Sequence, residues 1–255
     1  MSETPASSKG VAWVTGAGSG IGYALAKRLA SDGWIVAASA RTARDLDKLA
    51  AEVPGQITAF QLDVTNEQAC ADTAALIEQS LGPVDLAVFN AGSYFPTTAD
   101  DFSVANFRKT VDVNLMGEIN CMGQVAPKMV ARRTGHIVLM ASLTGYVGLP
   151  TAASYGATKA AIISMAQAFK PDFDRFGVTI TVINPGFVKT PATDKNSFEM
   201  PFLIGVDEAV DHMMRGIAAK RFEISFPWQM SFLIHLLASL PNRLKFAVTR
   251  RMLPR

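Results

Sequence analysis

A parallel β-sheet covered by helices on both faces, an α/β fold, is what the sequence predicts, and three observations predict it. Short β-branched or apolar runs alternate with longer amphipathic segments along most of the chain. Every connection between successive runs is of the βαβ kind, which a parallel strand pair requires. No Pro/Gly/Ser-rich linker, low-complexity run or internal repeat divides the 255 residues, so nothing splits the sheet into two domains. With 49% hydrophobic and 18% charged residues, the chain can bury a sizeable core and does not have the composition of a disordered protein.

The elements follow in order. Residues 1–9 lack the basic-then-apolar order of a signal peptide and read as a disordered lead-in. Seven strands are expected near 11–15, 34–39, 57–62, 84–89, 135–141, 178–183 and 222–226. Between them, helices are expected at 20–32, 43–52, 66–80, 103–131 (as one piece or two), 153–176 and 207–219. The sheet domain thus runs over 10–227, and 228–255 forms a separate hydrophobic and basic helical extension.

Several function classes are disfavoured. Cys70 and Cys121 lie 51 residues apart with no CxxC pair, against a disulfide framework or a structural zinc site, and a reducing compartment is the default. His136, His212 and His235 have no metal-ligand spacing, so no metal is expected. Basic residues in the body of the chain are not interleaved with stacking aromatics, which argues against nucleic acid. The longest apolar stretch, Met230 to Leu240, is shorter than the roughly 20 residues of a membrane span, and Pro241 interrupts it. Nothing directs the chain out of the cytoplasm, the expected location.

The first chemical signal is VAWVTGAGSGIG, where a buried strand ending at Thr15 runs into Gly16, Gly18, Gly20 and Gly22. Between a first strand and a first helix, such a turn brings main-chain amides and a helix N-terminus onto a pyrophosphate, which must approach the backbone closely. The plainer alternative is a tight strand-to-helix turn. At the end of the second strand, Ala38-Ser39-Ala40-Arg41 offers no carboxylate for a ribose 2′-hydroxyl, while Arg41 has a guanidinium suited to a 2′-phosphate. NADP is favoured, with NAD as the other candidate. Alternatively Arg41 only solvates the start of the next helix, where Arg44 and Lys48 follow.

The second signal lies downstream. The strand ending at Ala141 delivers Ser142, and thirteen residues later Tyr155 and Lys159 stand at i, i+4 on one helix face. A phenol with its ordinary pKa near 10 is a poor base at neutral pH, and a nearby ammonium, here Lys159, favours the phenolate. Ser142 could hydrogen-bond a reacting carbonyl or hydroxyl oxygen.

Thr15-Gly-Ala-Gly-Ser-Gly-Ile-Gly22, Asn90-Ala-Gly92, Asn114, Ser142, Tyr155, Lys159 and Pro185-Gly186 resemble, in order and spacing over about residues 10–226, the short-chain dehydrogenase/reductase family. The resemblance implies a three-layer Rossmann fold with a seven-stranded parallel sheet. It implies hydride transfer between a nicotinamide and a carbonyl or alcohol carbon, with Tyr155 as general acid/base and Ser142 orienting the substrate oxygen. Lys159 would bind the nicotinamide ribose and lower the Tyr155 pKa, and Asn114 would hold a relay water. The dinucleotide would lie along Gly16, Gly18, Ser19, Gly20, Ile21 and Gly22, with Arg41 at the ribose and Asp63 and Val64 beside adenine. Asn90, Ala91 and Gly92 would line its floor, and Pro185, Gly186, Val188 and Thr190 would close over the nicotinamide end. A homo-oligomer, dimer or tetramer, is implied with helices 103–131 and 153–176 as contacts. Ser19 in place of a glycine, and a short C-terminal remainder, set aside the nucleotide-sugar epimerases. The rival from another class is a catalytically silent dinucleotide sensor or scaffold; such proteins usually lack one of the catalytic group, which is present here in full. Phe89, where many members have Asn, is a packing position.

The segments expected at the pocket, Tyr94-Phe95-Pro96, Val147 to Pro150, and Phe187 with Phe198 to Leu203, are apolar or aromatic. A lipophilic carbonyl or secondary alcohol is expected, unless these side chains only pack a lid. In the tail, Phe232, Leu233, Ile234, Leu236, Leu237 and Leu240 make a segment apolar almost all round. After Pro241, Leu244, Ala247, Val248 and Met252 repeat at helical spacing among Arg243, Lys245, Arg250 and Arg251. One reading lays the pair on an anionic membrane surface as a peripheral contact; the other caps the pocket or packs on a neighbouring subunit.

Overall fold

The computed structural model describes residues 8–195 and 199–253. Most of the lead-in, Phe198 and Arg255 lie outside the described residues. Seven strands form one parallel sheet: β1 Val11–Thr15, β2 Ile35–Ala40, β3 Ile57–Gln61, β4 Val84–Phe89, β5 His136–Met140, β6 Thr179–Pro185 and β7 Glu223–Phe226. Their spatial order is β3-β2-β1-β4-β5-β6-β7, with every neighbouring pair parallel. The helices are α1 Gly20–Ser31, α2 Ala43–Glu52, α3 Glu67–Leu81, α4 Val104–Val111, α5 Gly117–Arg132, α6 Ala153–Arg175, α7 Val206–Ala218, α8 Trp228–Ser239 and α9 Asn242–Thr249.

Period-2 alternation along the strands builds two cores, one on each sheet face. Val11 and Trp13 of β1 join Cys70, Ile77, Val125 and Ile162, beneath α3, α5 and α6. Ala12 and Val14 join Leu25, Leu29, Leu46 and Met213, beneath α1, α2 and α7. Trp13 is fully buried with its indole N–H donating to the Ser39 hydroxyl at 2.9 Å, so its one polar atom is satisfied. The crossing order reverses between β1 and β4, which opens a crevice at the carboxyl ends of the strands.

The expected 103–131 helix is two helices, joined through a wider π-type turn over Asp112–Met116. Such single turns usually re-aim a side chain, and this one carries the fully buried Asn114. Because α3 and α5 pack side by side on one sheet face, the two cysteines meet: Cys121 Sγ lies 3.6 Å from Cys70 Sγ, both thiols free and buried. His136 is buried in β5 with Nε2 2.8 Å from the Thr181 hydroxyl, and burial pushes its pKa down to about 4. Among the described residues no three His, Cys, Asp or Glu side chains are grouped to hold a metal ion. No described helix is long and apolar enough to cross a membrane.

The tail divides in two. Met230, Ile234 and Leu237 of α8 dock on Leu143 and Val147, forming a third small core outside the sheet. The opposite face of α8 is exposed at Phe232, Leu233 and Leu236, and α9 buries no residue at all.

Candidate active site

The glycine turn after β1 is shaped by what surrounds it. A Cβ on Gly22 would lie 2.3 Å from the Gly16 carbonyl oxygen and 2.4 Å from Asn90 Nδ2, so the first turn of α1 can pack here only as glycine. Gly16 and Gly20 have φ of +68° and +58°, in the left-handed region that favours glycine. Gly18 has no such φ, and its nearest neighbour would be the Ala40 side chain at 3.2 Å. Asn90 ties the turn from below: its amide donates to the carbonyls of Thr15 and Gly16 at 3.1 and 3.3 Å. In return Thr15 Oγ1 accepts the main-chain N–H groups of Asn90 and Ala91 at 3.0 and 3.2 Å. Ser19 at the start of α1 is exposed and makes no side-chain cap, which leaves first-turn amides open to an outside acceptor.

At the far edge, Arg41 follows β2 and is exposed, with no ion-pair partner among the described residues. It lines a cleft of about 620 Å³ together with Asp63, Thr65, Arg108, Lys109 and Asp112. Asp63 is turned into its own loop, accepting from the Thr65 N–H at 3.0 Å and hydroxyl at 2.8 Å. Val64 is buried against Gly117, where a Cβ would come within 2.6 Å of its Cγ2. These features fit a dinucleotide: bare main chain at a helix N-terminus for diphosphate, and a cleft at the adenosine end with three cations and two carboxylates, of which Asp63 is engaged by its own loop.

The reactive group gathers at the carboxyl ends of β5 and β6. Ser142 is buried just beyond β5; its hydroxyl donates to the Pro185 carbonyl at 3.3 Å and accepts the Thr144 N–H at 3.2 Å. Tyr155 and Lys159 lie on one face of α6, with Lys159 Nζ 5.6 Å from the Tyr155 ring centroid. Tyr94 packs edge-on to Tyr155 with centroids 5.5 Å apart, so one expected pocket residue lies against the reactive phenol. Asn114 Oδ1 accepts the Ser93 N–H at 2.7 Å and its Nδ2 donates to the Ser93 carbonyl at 2.8 Å, a two-bond clamp on the loop after β4.

One expectation is corrected. Tyr155 stands above its ordinary pKa: burial raises it, the Ser142 hydroxyl pulls it back, and the Glu118 carboxylate raises it again. The Lys159 ammonium is directed elsewhere, donating to the Met140 carbonyl and pairing with Glu118 Oε1 at 3.7 Å. The i, i+4 spacing brought Lys159 to the tyrosine but said nothing of a competing carboxylate.

Glu118 is the residue that sequence reasoning missed. It is 2% exposed, and neither carboxylate oxygen has a hydrogen-bond partner. Burial pushes its pKa up to about 8 against the pull of Lys159, while burial lowers Lys159 against the pull of Glu118. A signal existed: Glu118 stands with Cys121, Met122, Val125 and Met129 at helical spacing, a carboxylate on the buried stripe of α5.

Beyond β6, Gly186 N–H donates to the Phe226 carbonyl at 2.7 Å, and Val188 is buried in a bridge to Ile204. Thr190 lies over the glycine turn, where its Cγ2 would be 3.3 Å from a Cβ on Gly20. The segment after β6 therefore spans from the reactive group to the turn. Phe187, Tyr146 and Leu149 pack with the third core under α8, while Phe202 and Leu203 remain exposed.

A family model described as short chain dehydrogenase matches residues 10–200. An uncharacterized oxidoreductase of Myxococcus xanthus (strain DK1622) is 37% identical over 244 residues, 94% of this chain and 96% of that protein. Another, from Staphylococcus epidermidis (strain ATCC 12228 / FDA PCI 1200), is 34% identical over 188 residues, 74% of this chain and 82% of its own. Among solved structures, a short-chain dehydrogenase from Streptomyces avermitilis shares the fold with a TM-score of 0.81 at 21% identity, covering 96% of this chain and 98% of that one. Actinorhodin polyketide ketoreductase, in a structure with NADPH, has a TM-score of 0.78 at 26% identity, covering 87% of this chain and 97% of that one.

Proposed function

The chain belongs to the short-chain dehydrogenase family of oxidoreductases, and on that premise we propose that it is an NADP-preferring enzyme acting between a lipophilic carbonyl and its secondary alcohol. What supports the reading is the meeting of Ser142, Tyr155 and Lys159 at one end of the crevice whose other end is the bare glycine turn. The nicotinamide, when bound, supplies the hydride chemistry at the carbon. The chain's part is to handle the proton and the oxygen.

In the reducing direction Tyr155 donates its hydroxyl proton to the substrate oxygen as charge develops there, and in the oxidising direction it removes that proton. Ser142, whose hydroxyl proton rests on the Pro185 carbonyl while its oxygen accepts the Thr144 N–H, turns that proton to the same oxygen when substrate arrives. Lys159, held by the Met140 carbonyl and Glu118 and 5.6 Å from the Tyr155 ring centroid, is the residue that would take the ribose hydroxyls. Asn114 keeps the loop after β4 rigid against α6, through Ser93 on one side and Thr158 at 3.4 Å on the other. Arg41, with Arg108 and Lys109 lining the same cleft, suits a 2′-phosphate, and Ala40 puts no carboxylate on the last residue of β2, although Asp45 of α2 stands near Gly18.

Turnover is tested with NADPH and NADH against a panel of hydrophobic ketones and aldehydes, and coenzyme affinity by titration calorimetry. NADPH should bind more tightly, and the Ala40→Asp, Arg41→Ala double variant should reverse the order. Tighter NADH binding by the wild type contradicts the coenzyme assignment. A blank with both coenzymes across the panel would move the protein to a sensing or scaffold role.

A further inference from the structure

We propose that α8 and α9 form a docking surface for an anionic lipid bilayer. Nine of the sixteen large apolar side chains exposed among the described residues lie in 228–253, about a tenth of the chain. Trp228 is 72% exposed, Phe232 62%, and Leu244 and Phe246 55% each. A patch of this density on a folded protein marks an interaction surface rather than ordinary surface scatter.

The chemistry selects the occupant. Residues 228–255 contain Arg243, Lys245, Arg250, Arg251 and Arg255 and no acidic residue. Arg243, Arg250 and Arg251 are exposed among Leu244, Phe246, Val248, Met252 and Leu253, which are exposed too. A second copy docked about a two-fold axis would set these cations against themselves, with no carboxylate in the segment to offset them. A bilayer with anionic headgroups takes both parts at once: apolar side chains enter the interface and the cations meet phosphate.

The other half of the arrangement is already built. Met230, Ile234 and Leu237 fix α8 to Leu143 and Val147, with His235 against the Tyr146 ring at 4.4 Å, so the exposed face is presented by a docked helix. Leu143 and Val147 follow Ser142 in sequence, so the segment that anchors α8 is the one leading away from the reactive group.

The test is flotation of the full-length protein with phosphatidylcholine vesicles, with and without phosphatidylserine, at low and high salt. The expected result is flotation with the anionic vesicles, weakened by salt. Two variants probe the parts: Phe232→Ser/Leu236→Ser/Phe246→Ser and Arg243→Glu/Arg250→Glu/Arg251→Glu. Each basic residue near an anionic surface is worth about fivefold in partitioning, so the charge variant should lose at least about a hundredfold. All substituted residues are exposed, and cooperative thermal unfolding of each variant at the wild-type temperature establishes that it is folded. No flotation of the wild type with anionic vesicles, or flotation indifferent to both variants, overturns the proposal. Loss of a larger oligomer in the apolar variant, without vesicle binding by the wild type, gives the surface to a second copy instead.

Discussion

The glycine turn after β1 and the helices after β7 are opposite solutions to the placing of side chains. At the turn a single added methyl has nowhere to go, with Gly22 facing the Gly16 carbonyl and Asn90 at under 2.5 Å. On α9 whole aromatic and branched side chains touch nothing that buries them. A site for a ligand's main-chain contacts is built by removing side chains; a surface for a soft partner is built by displaying them. Packing therefore constrains the first at every atom and the second hardly at all.

The reactive group carries the largest expected effect. Tyr155→Phe keeps the ring against Tyr94 and removes the proton, so turnover should fall by roughly 10²- to 10⁴-fold with coenzyme affinity nearly unchanged. The exposed-residue variants of the tail should leave turnover on a water-soluble carbonyl intact. Steady-state kinetics and calorimetry on the same samples check both, and a tail variant as inactive as Tyr155→Phe would merge the two regions.

Next in size is the buried pair. Glu118 has a folded pKa of about 8 against an ordinary 4.5, so its contribution to stability is fully present below about pH 4.5 and lost as pH rises through 8. Glu118→Gln removes that loss. The variant should gain on the wild type by roughly 2–4 kcal/mol between pH 5 and pH 9, as followed by denaturant unfolding at each pH. Parallel pH profiles would mean that the carboxyl is not raised.

The most direct contrast sets one methyl against a phenyl ring. Gly22→Ala should destabilise by about 1–3 kcal/mol and weaken coenzyme binding, because backbone, not a flexible side-chain end, stands in its way. Phe246→Ala, which removes far more matter, should change stability by less than about 0.5 kcal/mol in the absence of vesicles. Thermal or denaturant unfolding ranks them, and the reverse order would show that α9 is packed in solution. On coenzyme affinity alone, Arg41→Ala is expected to cost roughly tenfold for NADPH and to leave NADH unaffected, in line with one charge-assisted contact.

What consecutive residues determine was legible before any tertiary contact was known. Strand alternation along Val11 to Thr15 sorts side chains to two faces, and i, i+4 spacing sets Tyr155 and Lys159 on one helix face. Both are properties of local backbone geometry, which repeats regardless of the rest of the chain. The glycines at 16, 18, 20 and 22 mark the close approach of main chain, although only the fold shows that Asn90 is the group beneath them. Proximity between distant elements was decided by tertiary packing alone. It brought Cys70 to Cys121, turned Lys159 to Glu118, and buried the Tyr155 hydroxyl, which raises its pKa, with a smaller push from Glu118. It also divided the tail, docking α8 through Met230, Ile234 and Leu237 while leaving α9 in the open. Hydrophobic periodicity reports that a face wants cover, but burial and charge pairing depend on which surface arrives to provide it.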